Sequence, residues 1–252
     1  MDIWKDSHAQ QHIETISDDF VRIVESQQQI ATTRIVDSLE EQFVLESLLE
    51  KAKPLLPKQS SHLHYLLSTP FRYPPLKHGS RFGSKLEPSL LYGSKEVETV
   101  LIECSYYRFL FLSGMSTPPP SAKFITEHTL FTGRYFTNRG LKLQSAAFKK
   151  HHKHLMHPAD YQASQTMGKA MREGGVEAFE YFSARAKNNG LNIALYTADA
   201  LVVNEPLSQS QWICSTTANN VRFVSRDDNK VYGFNINDFL HNGELPLPPP
   251  PH

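Results

Sequence analysis

Leu90-Leu91-Tyr92-Gly93-Ser94, running on through Lys95-Glu96-Val97-Glu98-Thr99-Val100-Leu101-Ile102-Glu103-Cys104, is the stretch on which the reading of the fold turns. Leu90, Leu91 and Tyr92 make a brief apolar, strand-like run, and Ser94 is well placed to cap a helix. Beyond it Val97, Val100, Leu101, Cys104, Arg108 and Phe111 recur at i, i+3, i+4 and i+7, with Glu96 and Glu98 near the positive end of the helix dipole. At about 100° per residue Glu103 falls on the flank of that stripe and not at its back, a position that can look into a groove.

Outward from this unit the pattern alternates between helices and short strands. Leu39, Phe43, Val44, Leu48 and Leu49 predict a helix from Asp37 to Lys53, stopped by Pro54. A further helix is expected over 159–172, with Ala163, Met167, Ala170 and Met171 inward and Gly174-Gly175 as its stop. Val176 to Ala186 and Leu191 to Val203 read as strands joined through Asn188-Asn189-Gly190, a hairpin signal. More strand is expected at 212–214, 221–225 and 231–234, and one or two short strands within 126–143. In the proline-rich segment from Pro54 to Ser84 only 64–67 and 71–73 read as short strands. The first thirty-odd residues are polar, with Phe20, Ile23 and Val24 hinting at one amphipathic helix, and the tail from Leu245 to His252 is proline-rich and reads as extended or disordered. Short strands mixed with separated helices indicate an α+β fold and not a regular βαβ array. The expected organisation is an N-terminal helical extension (1–55), a catalytic domain (56–240) and a C-terminal tail (241–252).

At 252 residues the chain can bury a substantial core, and its 26 Lys+Arg balance 26 Asp+Glu. No global basic field exists to draw in nucleic acid or an anionic membrane surface. No run approaches the roughly 18 apolar residues of a membrane span. Cys104 and Cys214 are the only cysteines, and the first thirty residues lack the apolar core of a secretory signal, so the cytoplasm is the expected compartment.

Candidate chemistry gathers at a few positions. Arg72 in Thr-Pro-Phe-Arg-Tyr and Arg81 in Gly-Ser-Arg-Phe-Gly offer donor forks matched to phosphate oxygens, and Gly79 and Gly83 permit close backbone approach to a ligand. Either arginine alone is as compatible with an ordinary surface turn. Tyr92 can stack on a flat ring or sit half-buried in the core. Glu103 suits the stabilisation of a developing ribosyl cation, or is a solvated helix glutamate. Ser183 in Tyr-Phe-Ser-Ala-Arg shares a strand face with Phe179 and Tyr181 if the run alternates, and lies outside any Gly-x-Ser-x-Gly elbow, which disfavours a hydrolase nucleophile. His151, His152, His154 and His157 invite a zinc reading, but the interleaved Lys149, Lys150 and Lys153 disfavour a dication, and a solvated basic stretch is preferred. Phosphate loops of the P-loop and Rossmann types are missing.

Taken in order, Phe-Arg-Tyr, Gly-Ser-Arg-Phe, Leu-Tyr-Gly-Ser, a helix bearing Glu103, and Tyr-Phe-Ser-Ala-Arg followed by Ala-Leu-Tyr resemble the RES-domain family over about residues 60 to 205. The resemblance implies an ADP-ribosyltransferase-like core of short strands with flanking helices and a toxin that degrades NAD by hydrolysis or phosphorolysis. Carried over, it assigns Glu103 as the catalytic carboxylate with Arg72 and Ser183 beside it, and Arg72, Tyr73, Arg81, Tyr92 and Ser183 to NAD binding, with no metal. It also implies a helix-turn-helix antitoxin as partner. Many members have Gly-Gly-Arg-Trp-Asn where this chain has Gly79-Ser80-Arg81-Phe82-Gly83, so one polar side chain is lost. The alternatives are ADP-ribosyl transfer to a protein and a non-catalytic NAD-binding or interaction module.

Overall fold

Residues 14 to 25, Glu-Thr-Ile-Ser-Asp-Asp-Phe-Val-Arg-Ile-Val-Glu, form a strand and not the amphipathic helix expected around Phe20. Five of the twelve are β-branched, which suits a pleated surface better than a helix. In the computed structural model, which describes residues 1–26, 36–75, 79–117 and 121–247, this strand, β1 (Glu14–Glu25), follows a one-turn helix α1 (Ile3–Asp6). The expectations for 27–33 and for the tail beyond Leu247 lie outside the described residues.

The remaining elements are α2 (Leu39–Ala52), α3 (Tyr65–Arg72), β2 (Leu91–Ser94), α4 (Val97–Ser113), β3 (Phe124–Lys142), α5 (His152–Leu155), α6 (Gln162–Glu173), β4 (Ala178–Phe182), β5 (Leu191–Leu195), β6 (Ser208–Thr216), β7 (Asn220–Ser225) and β8 (Val231–Asn235). The strands form one sheet in the order β1-β2-β5-β4-β3-β6-β7-β8, and β1 also pairs with β3. The first five strands therefore close on themselves, and β6, β7 and β8 continue from β3. The fold is α+β.

Two more expectations are corrected, and one helix forms in an unexpected setting. The short strands foreseen within 126–143 are a single strand of 19 residues, β3, paired with β1 over 128–140, with β6 over 124–132 and with β4 over 140–142. Its glycines mislead, because Gly133 and Gly140 lie under Phe20 and Ile16 of β1, where any side chain would collide. The strands foreseen at 64–67 and 71–73 are the helix α3, which starts at His64, whose ring accepts from the Leu66 N–H at 3.3 Å, and buries Leu66 and Leu67. The helix expected over 37–53 forms as α2, but none of its residues is buried, and Leu39 and Phe43 stand 85% and 74% exposed.

Side chains from all five ring strands, among them Ile16, Phe20, Leu91, Phe131, Ala178 and Ile193, pack with Leu66 and Leu67 of α3. Their sequence neighbour Val21 turns the other way, onto the face covered by α4, where Val100, Leu101, Tyr106 and Phe109 meet Trp212, Cys214 and Phe223. The start of the tail joins this layer: Leu245 packs against it and the Tyr106 hydroxyl donates to the Pro246 carbonyl. A third cluster places Met167 and Met171 of α6 against Phe82, Phe148 and Phe179.

Candidate active site

Helix α4 leaves one carboxylate facing a cavity of about 400 Å³. Glu103 Oε1 accepts from the Ser183 hydroxyl at 2.6 Å and from Asn192 Nδ2 at 2.8 Å. No hydrogen bond among the described residues engages Oε2. Ser183 follows the end of β4, is fully buried, and accepts at Oγ from the backbone N–H groups of Arg185 and Ala186, both at 3.0 Å. With its oxygen facing two donors, its proton points at Glu103. The Asn192 amide is oriented the same way: Ser94 Oγ donates to its Oδ1 at 2.7 Å, which turns the NH₂ toward the carboxylate. Ser94 therefore works at this site and does not cap α4, whose N-cap position is Glu96, without a side-chain cap bond.

The turn carrying Arg81 forms another wall. Gly79 has a φ of +71°, and the Ser80 N–H donates to the Gly83 carbonyl at 2.7 Å, closing the turn. The Tyr92 hydroxyl accepts from the Phe82 N–H at 3.2 Å and shares a hydrogen bond of 2.8 Å with Ser80 Oγ. Burial pushes that phenol up to about 12, so it stays protonated and available as a donor. Arg81 Nη1 donates to the His157 carbonyl at 2.9 Å, and its guanidinium lies over the Tyr161 ring. Gln165 of α6 donates to the Ser80 carbonyl at 3.0 Å from behind.

A third basic group was not foreseen. β1 and β2 pair at one position, Val21 with Ser94, and the next residue, Arg22, lines the cavity at that point. Its Nη1 donates to the Tyr92 carbonyl, while Nε is buried with no partner among the described residues. Burial pushes this guanidinium down to about 10, still a cation at neutral pH. A buried cation without a counter-ion is costly, and an anion in the cavity would relieve it.

The sequence-predicted residues thus divide. Glu103, Arg81 and Tyr92 line the cavity, and Ser183 stands directly behind Glu103, not at the wall expected from strand alternation. Tyr92 braces the Arg81 turn with its hydroxyl. Arg72 is not part of this wall. It ends α3, where Nε donates to the Pro54 carbonyl at 2.6 Å and Nη1 pairs with Glu50 of α2 at 2.8 Å. Tyr73 lines a neighbouring cavity that shares Arg22 with the first. Arg22 carried no local signal, since a lone arginine in a polar segment read as helix points nowhere. Asn192 could have been suspected from its place beside Gly190 in the hairpin next to Ser183.

Cys104 also faces the cavity, but burial pushes its thiol up to about 12, far from a nucleophilic thiolate. The histidine stretch is less solvated than expected. His151 is 4% exposed with Nε2 2.8 Å from Asp6, His152 Nε2 contacts the Leu143 carbonyl, and His157 Nδ1 accepts from the Asp160 N–H. Among the described residues no group of three His, Cys, Asp or Glu side chains is placed to hold a metal ion. No helix of the described residues is long and apolar enough to cross a membrane.

The model of the RES domain matches residues 56–216, more than half of the chain. No curated protein matches the sequence. Three chains among solved structures match. One belongs to the crystal structure of the M. tuberculosis MbcT–MbcA toxin–antitoxin complex, with 10% sequence identity, 86% of this chain and 92% of that chain covered, and a TM-score of 0.48.

Proposed function

The chain belongs to the RES-domain family, and from its cavity we propose that it is a toxin-like enzyme that cleaves the nicotinamide–ribose bond of NAD. The observation that carries this reading is Glu103, a carboxylate held at one oxygen by Ser183 and Asn192 and left open at the other, in a cavity shared with Arg22 and Arg81. When the C1′–N bond breaks, its electron pair leaves with nicotinamide, and C1′ takes on cationic character. A carboxylate fixed in advance stabilises that charge without reorganising, an effect of about 3–4 kcal/mol where single preorganised groups have been removed from active sites. Water or phosphate then adds at C1′ and releases a proton, giving ADP-ribose or its phosphorylated form.

Arg22 and Arg81 grip the pyrophosphate in this reading, Arg22 taking the part that sequence resemblance gave to Arg72. Tyr92 keeps the Arg81 turn in place. Ser183 and Asn192 are positioning residues, acting through Glu103. A helix-turn-helix antitoxin is the expected partner and the cytoplasm the expected compartment, where NAD is at hand.

Mass spectrometry of the products after incubation with NAD, with and without phosphate, tests the reaction class. Free nicotinamide with ADP-ribose, or with a phosphate adduct only when phosphate is present, is expected. Labelled ADP-ribose retained on protein, without free product, would replace this reading by transfer to a protein target.

A further inference from the structure

β2 carries Tyr92 and Ser94 to the Glu103 cavity, yet it is only four residues long and β1 pairs with it at a single position. Side chains alternate across a strand, so Lys95, directly after Ser94, leaves on the opposite face. There its Nζ lies 3.1 Å from Glu180 Oε1 of β4 and 2.8 Å from Asp18 Oδ2 of β1, and donates to the Tyr135 hydroxyl of β3. Tyr135 is fully buried and in turn donates to Glu180 Oε1 at 2.6 Å, while Gln144 Nε2 donates to Oε2 at 2.6 Å. The Lys95 and Glu180 side chains are 11% and 7% exposed, at the edge of a cavity of about 540 Å³ that shares no residue with that of Glu103.

Two rows of side chains thus sit back to back on β4, β5 and β2. Glu180, Ile193 and Gly93 are in register on the inner face, and Tyr181, Asn192 and Ser94 are in register on the face toward Glu103. The ion pair of Lys95 with Glu180 crosses β5, the strand of Asn192, and the Lys95 N–H donates to the Leu191 carbonyl of that strand at 2.8 Å. A buried ion pair adds little net stability over apolar groups of similar size, so its effect here is on geometry. We propose that Lys95 is a positioning residue: by tying the end of β2 to Glu180, it holds Ser94 where its hydroxyl turns the Asn192 amide onto Glu103. This rests on the reading of Glu103 as the catalytic carboxylate. Lys95 acts from the far face of the sheet and lines no part of the Glu103 cavity.

The test compares wild type, Ser94→Ala, Lys95→Met, Lys95→Met/Glu180→Gln and the last of these combined with Ser94→Ala. Lys95→Met alone leaves Glu180 without its cation and is expected to melt low, whereas the double variant removes both charges and is expected to melt near wild type. In the double variant kcat for nicotinamide release falls at least about fivefold, and by no more than the roughly 150-fold that a hydrogen bond to a charged group is worth, with KM for NAD unchanged. Adding Ser94→Ala lowers kcat no further than Ser94→Ala does alone, because both changes act through the Asn192 amide. A wild-type kcat in the folded double variant, or losses that multiply with that of Ser94→Ala, overturns the proposal. Absence of nicotinamide release by wild type would defeat the cleavage reading alone, and the NMR signals of the Asn192 side-chain amide, identified by their loss in Asn192→Leu, then decide. Movement of those signals in the double variant toward their Ser94→Ala positions upholds the positioning by Lys95; any other result refutes it.

Discussion

Asn192→Asp changes one group of the site and leaves its shape alone. The new carboxyl still accepts from Ser94, but it puts an oxygen where the amide donor lay 2.8 Å from Glu103 Oε1. Two full charges at that separation repel by about 6 kcal/mol at an effective dielectric of ~20. Arg22, Arg81 and Arg185 around the cavity weaken this repulsion. Two carboxylates in such contact do not both ionise readily, so the pair keeps one proton to a higher pH than a lone carboxylate does. While that proton bridges the two groups it restores a donor to Glu103, and the pair carries the same single negative charge as the native site. As pH rises through the raised value the proton leaves, the donor is lost, and kcat falls by roughly 10- to 150-fold, the equivalent of about 1.5–3 kcal/mol for a hydrogen bond to a charged group. The variant is therefore active in acid and fails in alkali, whereas Asn192→Leu is impaired throughout. The assay is kcat for nicotinamide release from about pH 5 to about pH 9, with thermal melts to confirm folding. A profile for Asn192→Asp parallel to that of wild type, or full activity in Asn192→Leu, would refute the positioning of Glu103 by this amide.

The structure supports three more expectations. Arg22→Ala raises KM for NAD roughly 10- to 150-fold by removing a charge-assisted contact worth about 1.5–3 kcal/mol, while Arg72→Ala, whose guanidinium is engaged by Pro54 and Glu50, leaves KM unchanged; the reverse pattern in steady-state kinetics would move the phosphate grip back to Arg72. Burial, reinforced by Arg108, pushes His128 down to about 4, so the unfolded chain binds a proton that the folded one refuses. The stability this lends is complete above about pH 6.5 and is lost as pH falls toward 4, by an amount of about 3 kcal/mol. Urea unfolding of His128→Gln should show less loss between about pH 7 and pH 5 than wild type, and equal losses would exclude His128 as a source. In Gly168→Ala the added methyl runs into the Phe82 backbone next to Arg81, so α6 must retreat from the turn it supports. Overpacking of this kind costs about 1–3 kcal/mol and roughly 2–4 °C of melting temperature per kcal/mol, with a raised KM for NAD; an unchanged melt would sink the argument.

The local order of the sequence made Glu103, Arg81 and the α4 and α6 helices legible, because each is written within a dozen residues as a periodic stripe or a glycine-flanked turn. The hairpin of β4 and β5 was legible for the same reason, through its Asn-Gly signal. What stayed hidden depends on partners far along the chain. β3 reads as broken by Gly133 and Gly140 until Phe20 and Ile16 of β1 are seen to need that space. β1 pairs with β3 along its length but with β2 at a single position, its sequence is polar on average, and with it Arg22 went unseen. Ser94 looks like a helix cap in one dimension and proves to be the orienting donor for Asn192, almost a hundred residues away. Arg72 has the right neighbours in sequence, yet α3 forms as a helix and turns its guanidinium toward α2.

The most direct test of the central claim is the rate of nicotinamide release from NAD by purified protein and by Glu103→Gln, which preserves size and hydrogen bonding but removes the charge facing the cavity. Turnover by wild type, a fall of at least about a hundredfold in kcat for the variant, and a melting temperature close to wild type are predicted from the loss of one preorganised charge. Equal release by both proteins, or none by wild type, would contradict the account.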